Sequence, residues 1–303
     1  MGFLNNPHLQ TIAAAFFRPG ARLDLVRKTI ETPDGDFLDL DFYEANECKK
    51  IAILVHGLEG SYQDNYITRT MKVLAAAGMN SVCMNLRSCS GRLNNKVYSY
   101  HSGKSEDLKT AIDSVDLSYE SLYLIGFSIG GNMTLKYLGE GDIDSRIKQA
   151  FSISAPVDLE SSAQALAQKS TKIYMDNLLQ NLKKKVFAKA KLFPGEISAE
   201  NFNEVKNFYD FDGRYTAPLN GFSSAQDYWS KASSKPFLEE IQIPTSIITA
   251  LDDPFLGPEC FVKPQNKMIT THYSDFGGHL AFMDFRKLPV KFLYEKIILG
   301  EIQ

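Results

Sequence analysis

Long apolar runs are absent from these 303 residues: no stretch approaches the roughly 18 consecutive apolar residues that a membrane-spanning helix needs. The N-terminus, MGFLNNPHLQ, lacks a positive segment followed by an apolar one, and Asn6 stands where a myristoylation signal needs Ser or Thr. No stable membrane anchor is therefore expected. An excess of one charge is also missing. Lys and Arg number 33 against 36 Asp and Glu, for a net charge of −3, and the two signs are mixed along the chain. Without a basic stripe, nucleic acid is a poor partner. Cysteine is scarce: Cys48, Cys83, Cys89 and Cys260 form no C-x-x-C pair, and none sits near a histidine at metal-ligand spacing. The pattern argues against a disulfide scaffold and a metal site, and it fits a reducing, cytoplasmic setting.

What remains is a composition of 44% hydrophobic and 23% charged residues, enough to bury a sizeable core in one domain or a domain with an insertion. Periodicity alternates along the chain. Residues 29–43, TIETPDGDFLDLDFY, read as a hairpin around Asp34-Gly35. KIAILVHG (50–57) is a short apolar run of the kind buried in a parallel sheet. YITRTMKVLAAAG (66–78) has helical spacing and ends on Gly78, a C-cap signal. MNSVCMNL (79–86) predicts a strand, 105–119 a helix with Ser105 as N-cap, SLYLIGF (121–127) a strand and 129–140 a helix. The alternation predicts an α/β fold with a mostly parallel central sheet flanked by helices.

The strand at 121–127 runs straight into GFSIGG, where Gly126 and Gly130 flank Ser128. A serine on a sharp strand-to-helix turn is the setting of a nucleophile, because only small neighbours allow the strained turn that exposes its hydroxyl. Such a serine needs a base and an orienting acid, which follow it in the order Ser, Asp, His in this topology. IPTSIITALDDPF (243–255) closes on Asp252 and Asp253 at the end of a β-rich run, and His279 follows Gly277 and Gly278 on a glycine-rich loop. The other histidines read structurally: His56 as shaping the turn after its strand, His272 as a satisfied core or edge residue, and His8 and His101 as lying on the wrong side of the nucleophile in chain order.

Between 159 and 241 the alternation stops, and residues 160–240 read as a helical cap inserted in one domain spanning 1–303. Within it, LLQNLKKKVFAKAKLF (178–193) places Leu178, Leu179, Leu182, Val186, Ala190 and Phe193 near one face. Lys183, Lys184, Lys185, Lys189 and Lys191 fall outside it. The helix reads as burying its apolar face on the core with solvated lysines; the other reading is a basic face that docks on anionic lipid. Trp229, the only tryptophan, reads as a packing residue.

Eight segments carry a resemblance: NNPHLQTI (5–12), LVHGLEGS (54–61), NLRSCSG (85–91), YHSG (100–103), GFSIGGNMTLKYLGE (126–140), FDGRYTAPLNGFSSAQDYW (211–229), IPTSIITALDDPF and GGHLAF (277–282). Taken together, the chain resembles the YheT-like branch of the α/β-hydrolase superfamily, related to plant EMB8 and animal abhydrolase-domain proteins. The resemblance implies Ser128 as nucleophile, His279 as base, one of the two aspartates as acid, and an oxyanion amide just after the HG pair. The acid in the common pattern directly precedes the proline turn, which favours Asp253 and leaves Asp252 to satisfy loop amides. Leu58 and Ile129 are then the amides expected at the oxyanion. Ser88 and Ala281 depart from the family's usual glycines, and the N-terminal hydrophobic segment of membrane-anchored animal relatives is missing, so a soluble, bacterial-type member is expected. The expected activity is serine ester hydrolysis on short to medium acyl chains, with no metal or cofactor. The alternatives are a lipid acyl hydrolase at membranes, through peripheral contact, and a non-catalytic ligand-binding protein.

Overall fold

In the computed structural model, which describes residues 6–17, 19–284 and 291–302, the apolar runs form one eight-stranded sheet. Its strands are β1 (Val26–Glu31), β2 (Phe37–Tyr43), β3 (Lys50–Val55), β4 (Asn80–Asn85), β5 (Ser121–Phe127), β6 (Ile147–Ile153), β7 (Thr245–Ala250) and β8 (Ile269–Ser274). They lie in the order β1-β2-β4-β3-β5-β6-β7-β8. β1 and β2 are the antiparallel hairpin expected around Asp34-Gly35, and β2 runs antiparallel to β4; the remaining pairings are parallel. Residues 1–5, the first half of the N-terminal stretch MGFLNNPHLQ, lie outside the described residues.

The main helices are α1 (Pro7–Phe17), α2 (Asn65–Ala76), α3 (Ser105–Asp113), α4 (Ile129–Gly139), α5 (Leu159–Leu166) and α6 (Lys172–Leu192). A further helix, Leu293–Glu301, follows the sheet. Side chains of β3 alternate between two cores, as a pleated strand demands. Ile51, Ile53 and Val55 pack with α3 and α4, whereas Ala52 and Leu54 pack with α2 and with Tyr294 and Ile298. α2 stops where Gly78 turns left-handed at φ +78°, with Gly78 N–H donating to Ala75 O and Met79 N–H to Leu74 O, a Schellman motif.

Two boundaries of the predicted helix at 105–119 differ. Lys104 is the N-cap and Ser105 the first helical residue, and the helix ends at Asp113. Asp116 competes for the chain beyond it, its side chain accepting the Ser118 amide and its carbonyl the Tyr119 amide.

Residues 154–244, between β6 and β7, hold α5, α6 and shorter helices. Here Met175, Leu179, Leu182 and Val186 of α6 pack with Phe202, Phe211 and Tyr215 in a small core of their own. Not all of the α6 lysines are solvated. Lys189 is buried and its ammonium donates to Asn94 O, Asn94 Oδ1 and Lys96 O, while Lys185 is largely covered. Positions 182, 185, 186 and 189 follow i, i+3, i+4, i+7 spacing and share one face, so geometry turns these two lysines inward despite their charge. Burial lowers the Lys189 pKa to about 8, with the nearby Asp36 opposing.

Candidate active site

Ser128 leaves β5 and enters α4 with φ +54° and ψ −123°, outside the regions that L-residues favour. The flanking glycines are a steric necessity. A Cβ on Gly126 would lie 2.3 Å from Gly130 O, and one on Gly130 would lie 2.3 Å from Val55 O. The elbow is held from below, with Ser128 N–H donating to Ile153 O at 2.8 Å, and the residue is 8% exposed at the N-terminal end of α4.

His279 comes from the loop after β8. Its Nε2 is 3.1 Å from Ser128 Oγ, and its Nδ1 is 2.9 and 3.1 Å from the two oxygens of Asp253, whose side chain is fully buried. An ionised carboxylate only accepts, so it selects the tautomer with hydrogen on Nδ1 and leaves the Nε2 lone pair facing the serine hydroxyl. Asp252 points elsewhere: its Oδ1 accepts the amides of Gly277 and Gly278, each at 2.9 Å. Burial raises the Asp252 pKa, partly offset by those amides and reinforced by the charge of Asp253. α1 also braces the loop, since Thr11 Oγ1 accepts the His279 amide at 2.9 Å.

The HG turn lies against Ser128, and a Cβ on Gly57 would come within 3.2 Å of Ser128 Cβ. Among the described residues the amides of Leu58 and Ile129 have no hydrogen-bond partner. One restraint on the Leu58 amide direction is the carbonyl of its own peptide: Gly57 O accepts from His56 Nδ1 at 2.8 Å and from Gly60 N–H at 3.1 Å. A trans peptide points its N–H the opposite way. His56 Nε2 accepts the Leu86 amide at 3.0 Å, and burial lowers its pKa to about 4, with the Gly57 carbonyl opposing, so the ring stays neutral near pH 7. His56 thus shapes the turn after β3. His272 pairs with Glu301 at 3.0 Å on the sheet's last strand, and His8 Nδ1 meets the Tyr174 hydroxyl at 3.2 Å. His101 is partly buried, its pKa lowered to about 3 chiefly by desolvation, and it packs edge-on to Phe222 and Tyr228.

Ser128 and His279 open into a cavity of about 870 Å³ whose walls include Leu58, Ile129, Leu159, Leu182 and Phe211. That volume accommodates a small organic ligand. The sequence reading missed several contributors. Phe255 stacks on the His279 ring, Tyr66 Oη accepts the Gly57 amide at 2.9 Å, and Lys185 reaches Glu59 beside the HG turn at 2.6 Å. Asp212, in the cavity wall, accepts from Thr216 Oγ1 at 2.6 Å and Trp229 Nε1 at 2.8 Å; burial pushes its pKa up to about 6 against these bonds. Phe255 stood in view within the DDPF run, but nothing in the pattern marked it. Ser88, where the resemblance has glycine, adopts φ +64°, the conformation for which glycine is suited. Among the described residues, no group of three or more His, Cys, Asp or Glu is placed to hold a metal, and no helix is long and apolar enough to cross a membrane.

Comparison with known proteins agrees with this architecture. The family model of the alpha/beta hydrolase fold matches residues 52–285. The Escherichia coli (strain K12) protein named "Putative esterase YheT" is 31% identical over 288 residues, covering 92% of this chain and 85% of its own. Phospholipase ABHD3 of Homo sapiens is 23% identical, covering 91% and 71%. Among solved structures, the Pyrococcus furiosus esterase Pf2001 superposes with a TM-score of 0.59 at 16% identity, over 92% of this chain and 91% of that one, a likeness of fold. The strand order, the elbow at Ser128 and these matches together make the chain a member of the α/β-hydrolase fold family, in its YheT-like branch.

Proposed function

We propose that the protein is a serine hydrolase that cleaves carboxylic esters of short to medium acyl length. The observation that carries this reading is the continuous relay from Asp253 through His279 to Ser128 Oγ, with bonds of 2.9 and 3.1 Å, beneath a cavity with apolar walls. In this reading His279 takes the Ser128 proton as Oγ attacks the ester carbonyl, then donates it to the leaving alcohol; the acyl-enzyme is hydrolysed by water that the same imidazole activates. Asp253 orients the ring and steadies its charged form. The Leu58 and Ile129 amides receive the oxyanion, each such donor typically worth roughly 10² to 10³ in rate. Residues 160–240 act as the cap over the acyl site, a role supported by the α6 side chains in the cavity wall. The four free cysteines support a reducing, cytoplasmic setting.

A second reading, hydrolysis of acyl chains in membrane lipid, draws support from Ile173, which is two-thirds exposed and also borders the cavity, and from the phospholipase among the relatives. A non-catalytic role is disfavoured because all three side chains are present and within hydrogen-bond reach. The deciding experiment combines fluorophosphonate labelling with turnover of p-nitrophenyl esters of increasing chain length. Wild type should label and turn over, and Ser128→Ala should do neither while keeping its circular dichroism spectrum. Labelling that persists at another serine would overturn the assignment.

A further inference from the structure

The turn that carries the Leu58 amide is tied to α6 by a buried ion pair. Glu59 takes φ +55°, a left-handed conformation that a non-glycine residue keeps only when its surroundings over-determine it. Three bonds do so. The Glu59 amide donates to Tyr100 Oη at 2.9 Å, and Glu59 Oε1 accepts from Tyr100 Oη at 2.7 Å and from Lys185 Nζ at 2.6 Å. The Glu59 and Lys185 side chains are only 9% and 12% exposed, and Lys185 Nζ sits 4.8 Å from the centre of the Tyr100 ring. All three residues border the cavity that holds Ser128.

Stability alone explains this arrangement poorly, because the cost of removing two charges from water roughly cancels their attraction. Geometry offers another reason. Leu58 lies between two peptide planes, and both are pinned. His56 and Gly60 hold the Gly57 carbonyl on one side, and Tyr100 holds the Glu59 amide on the other. The first set of tethers belongs to the strand and its turn. The second depends on the Glu59 carboxylate, which Lys185 reaches from the helical segment between β6 and β7.

We propose that Glu59 is a positioning residue for ester hydrolysis at Ser128: held by Lys185 and Tyr100, it keeps the Leu58 amide aimed at the oxyanion, and the donor pair is complete only while α6 is seated. The inference rests on the ester-hydrolase reading above. It makes cap seating and oxyanion binding one event, so an ester bound beneath an unseated helix meets only the Ile129 amide.

The test uses full-length wild type, Lys185→Met, Glu59→Gln and the double variant, assayed on p-nitrophenyl butyrate and normalised by fluorophosphonate titration of active serine. Lys185→Met should lower kcat by about tenfold to a hundredfold with KM nearly unchanged, because an oxyanion donor acts as charge develops in the transition state. Lys185→Met also leaves a buried carboxylate without its cation, so its melting temperature should fall. The double variant removes both charges, and it should recover the melting temperature but not kcat. Wild-type kcat in the folded double variant would overturn the positioning role while leaving the nucleophile assignment standing. Absence of Ser128-dependent turnover in wild type would overturn the ester-hydrolase reading and this inference with it.

Discussion

Phe255 lies face to face with His279, their ring centres 4.1 Å apart and their planes 12° from parallel. Its own amide donates to Asp253 Oδ1 at 2.9 Å, so one residue restrains both the imidazole and the carboxylate bonded to it. Tyr174 of α6 packs on the Phe255 ring at 4.9 Å, holding the stack between loop and helix.

This stack predicts a kinetic effect. Phe255→Ala retains the amide and removes the ring, and an aromatic stack is worth roughly 0.5–1.5 kcal/mol beyond its buried area, so kcat should fall by up to about tenfold. Phe255→Tyr should keep near wild-type turnover. Steady-state kinetics on a soluble ester check both, and an unchanged kcat in the alanine variant would show that packing elsewhere suffices to hold the imidazole.

The two neighbouring aspartates should separate cleanly. Asp253→Asn offers Nδ1 an ambiguous partner and should reduce kcat by on the order of 10³ or more. Asp252→Asn keeps an oxygen that can accept the Gly277 and Gly278 amides, and it should cost far less. Asp252→Ala frees both amides and should lower the melting temperature as well as kcat by loosening the His279 loop. The reverse order of damage between the two asparagine variants would reassign the acid.

Much of this site was legible because it is encoded locally. The glycines around Ser128 are required by contacts inside the elbow, and the chain order of aspartate and histidine follows from strands read by periodicity. Asp253 could be preferred over Asp252 from its place before Pro254. What stayed hidden depends on tertiary proximity. Thr11 reaches the His279 amide across most of the chain, and no local pattern signals that contact. Lys185 and Lys189 were classed by charge as solvated, whereas their helical positions set them on the buried face with Leu182 and Val186. The early end of α3 was missed because the Asp116 turn competes with helix by a side-chain bond that periodicity ignores.

Asp212 predicts a pH dependence of stability. Its folded pKa of about 6 lies above the ordinary carboxylate value of 3.8, so the native state favours the protonated acid. The group's contribution is therefore fully present below about pH 4 and is lost as pH rises through about 6. A shift of roughly two units corresponds to at most about 3 kcal/mol. Asp212→Asn keeps an acceptor for Trp229 Nε1 and removes the titration. In urea unfolding at pH 4.5 and 7.5, the variant should gain stability relative to wild type at the higher pH. An identical difference at both pH values would refute buried ionisation at this position.

On the proposed ester-hydrolase reading, a substitution in the cavity wall contributed by α6 should shift the acyl-length preference, and the same helix should discriminate between soluble and membrane substrates. Each buried methylene can add up to about 0.8 kcal/mol, nearly fourfold in kcat/KM, while the cavity has room. Activity on p-nitrophenyl esters should thus rise over the first few carbons and peak at short to medium length. Leu178, a partly buried wall residue, can be enlarged, and Leu178→Trp should move the peak to shorter chains. For membranes, the relevant charges are the exposed Lys184 and Lys191, since Lys185 is committed to Glu59. A capped site acting on dispersed esters should gain nothing from anionic phospholipid vesicles. Strong activation by such vesicles, lost in Lys184→Glu/Lys191→Glu while turnover of soluble esters persists, would instead identify membrane lipid as the substrate and α6 as the docking face.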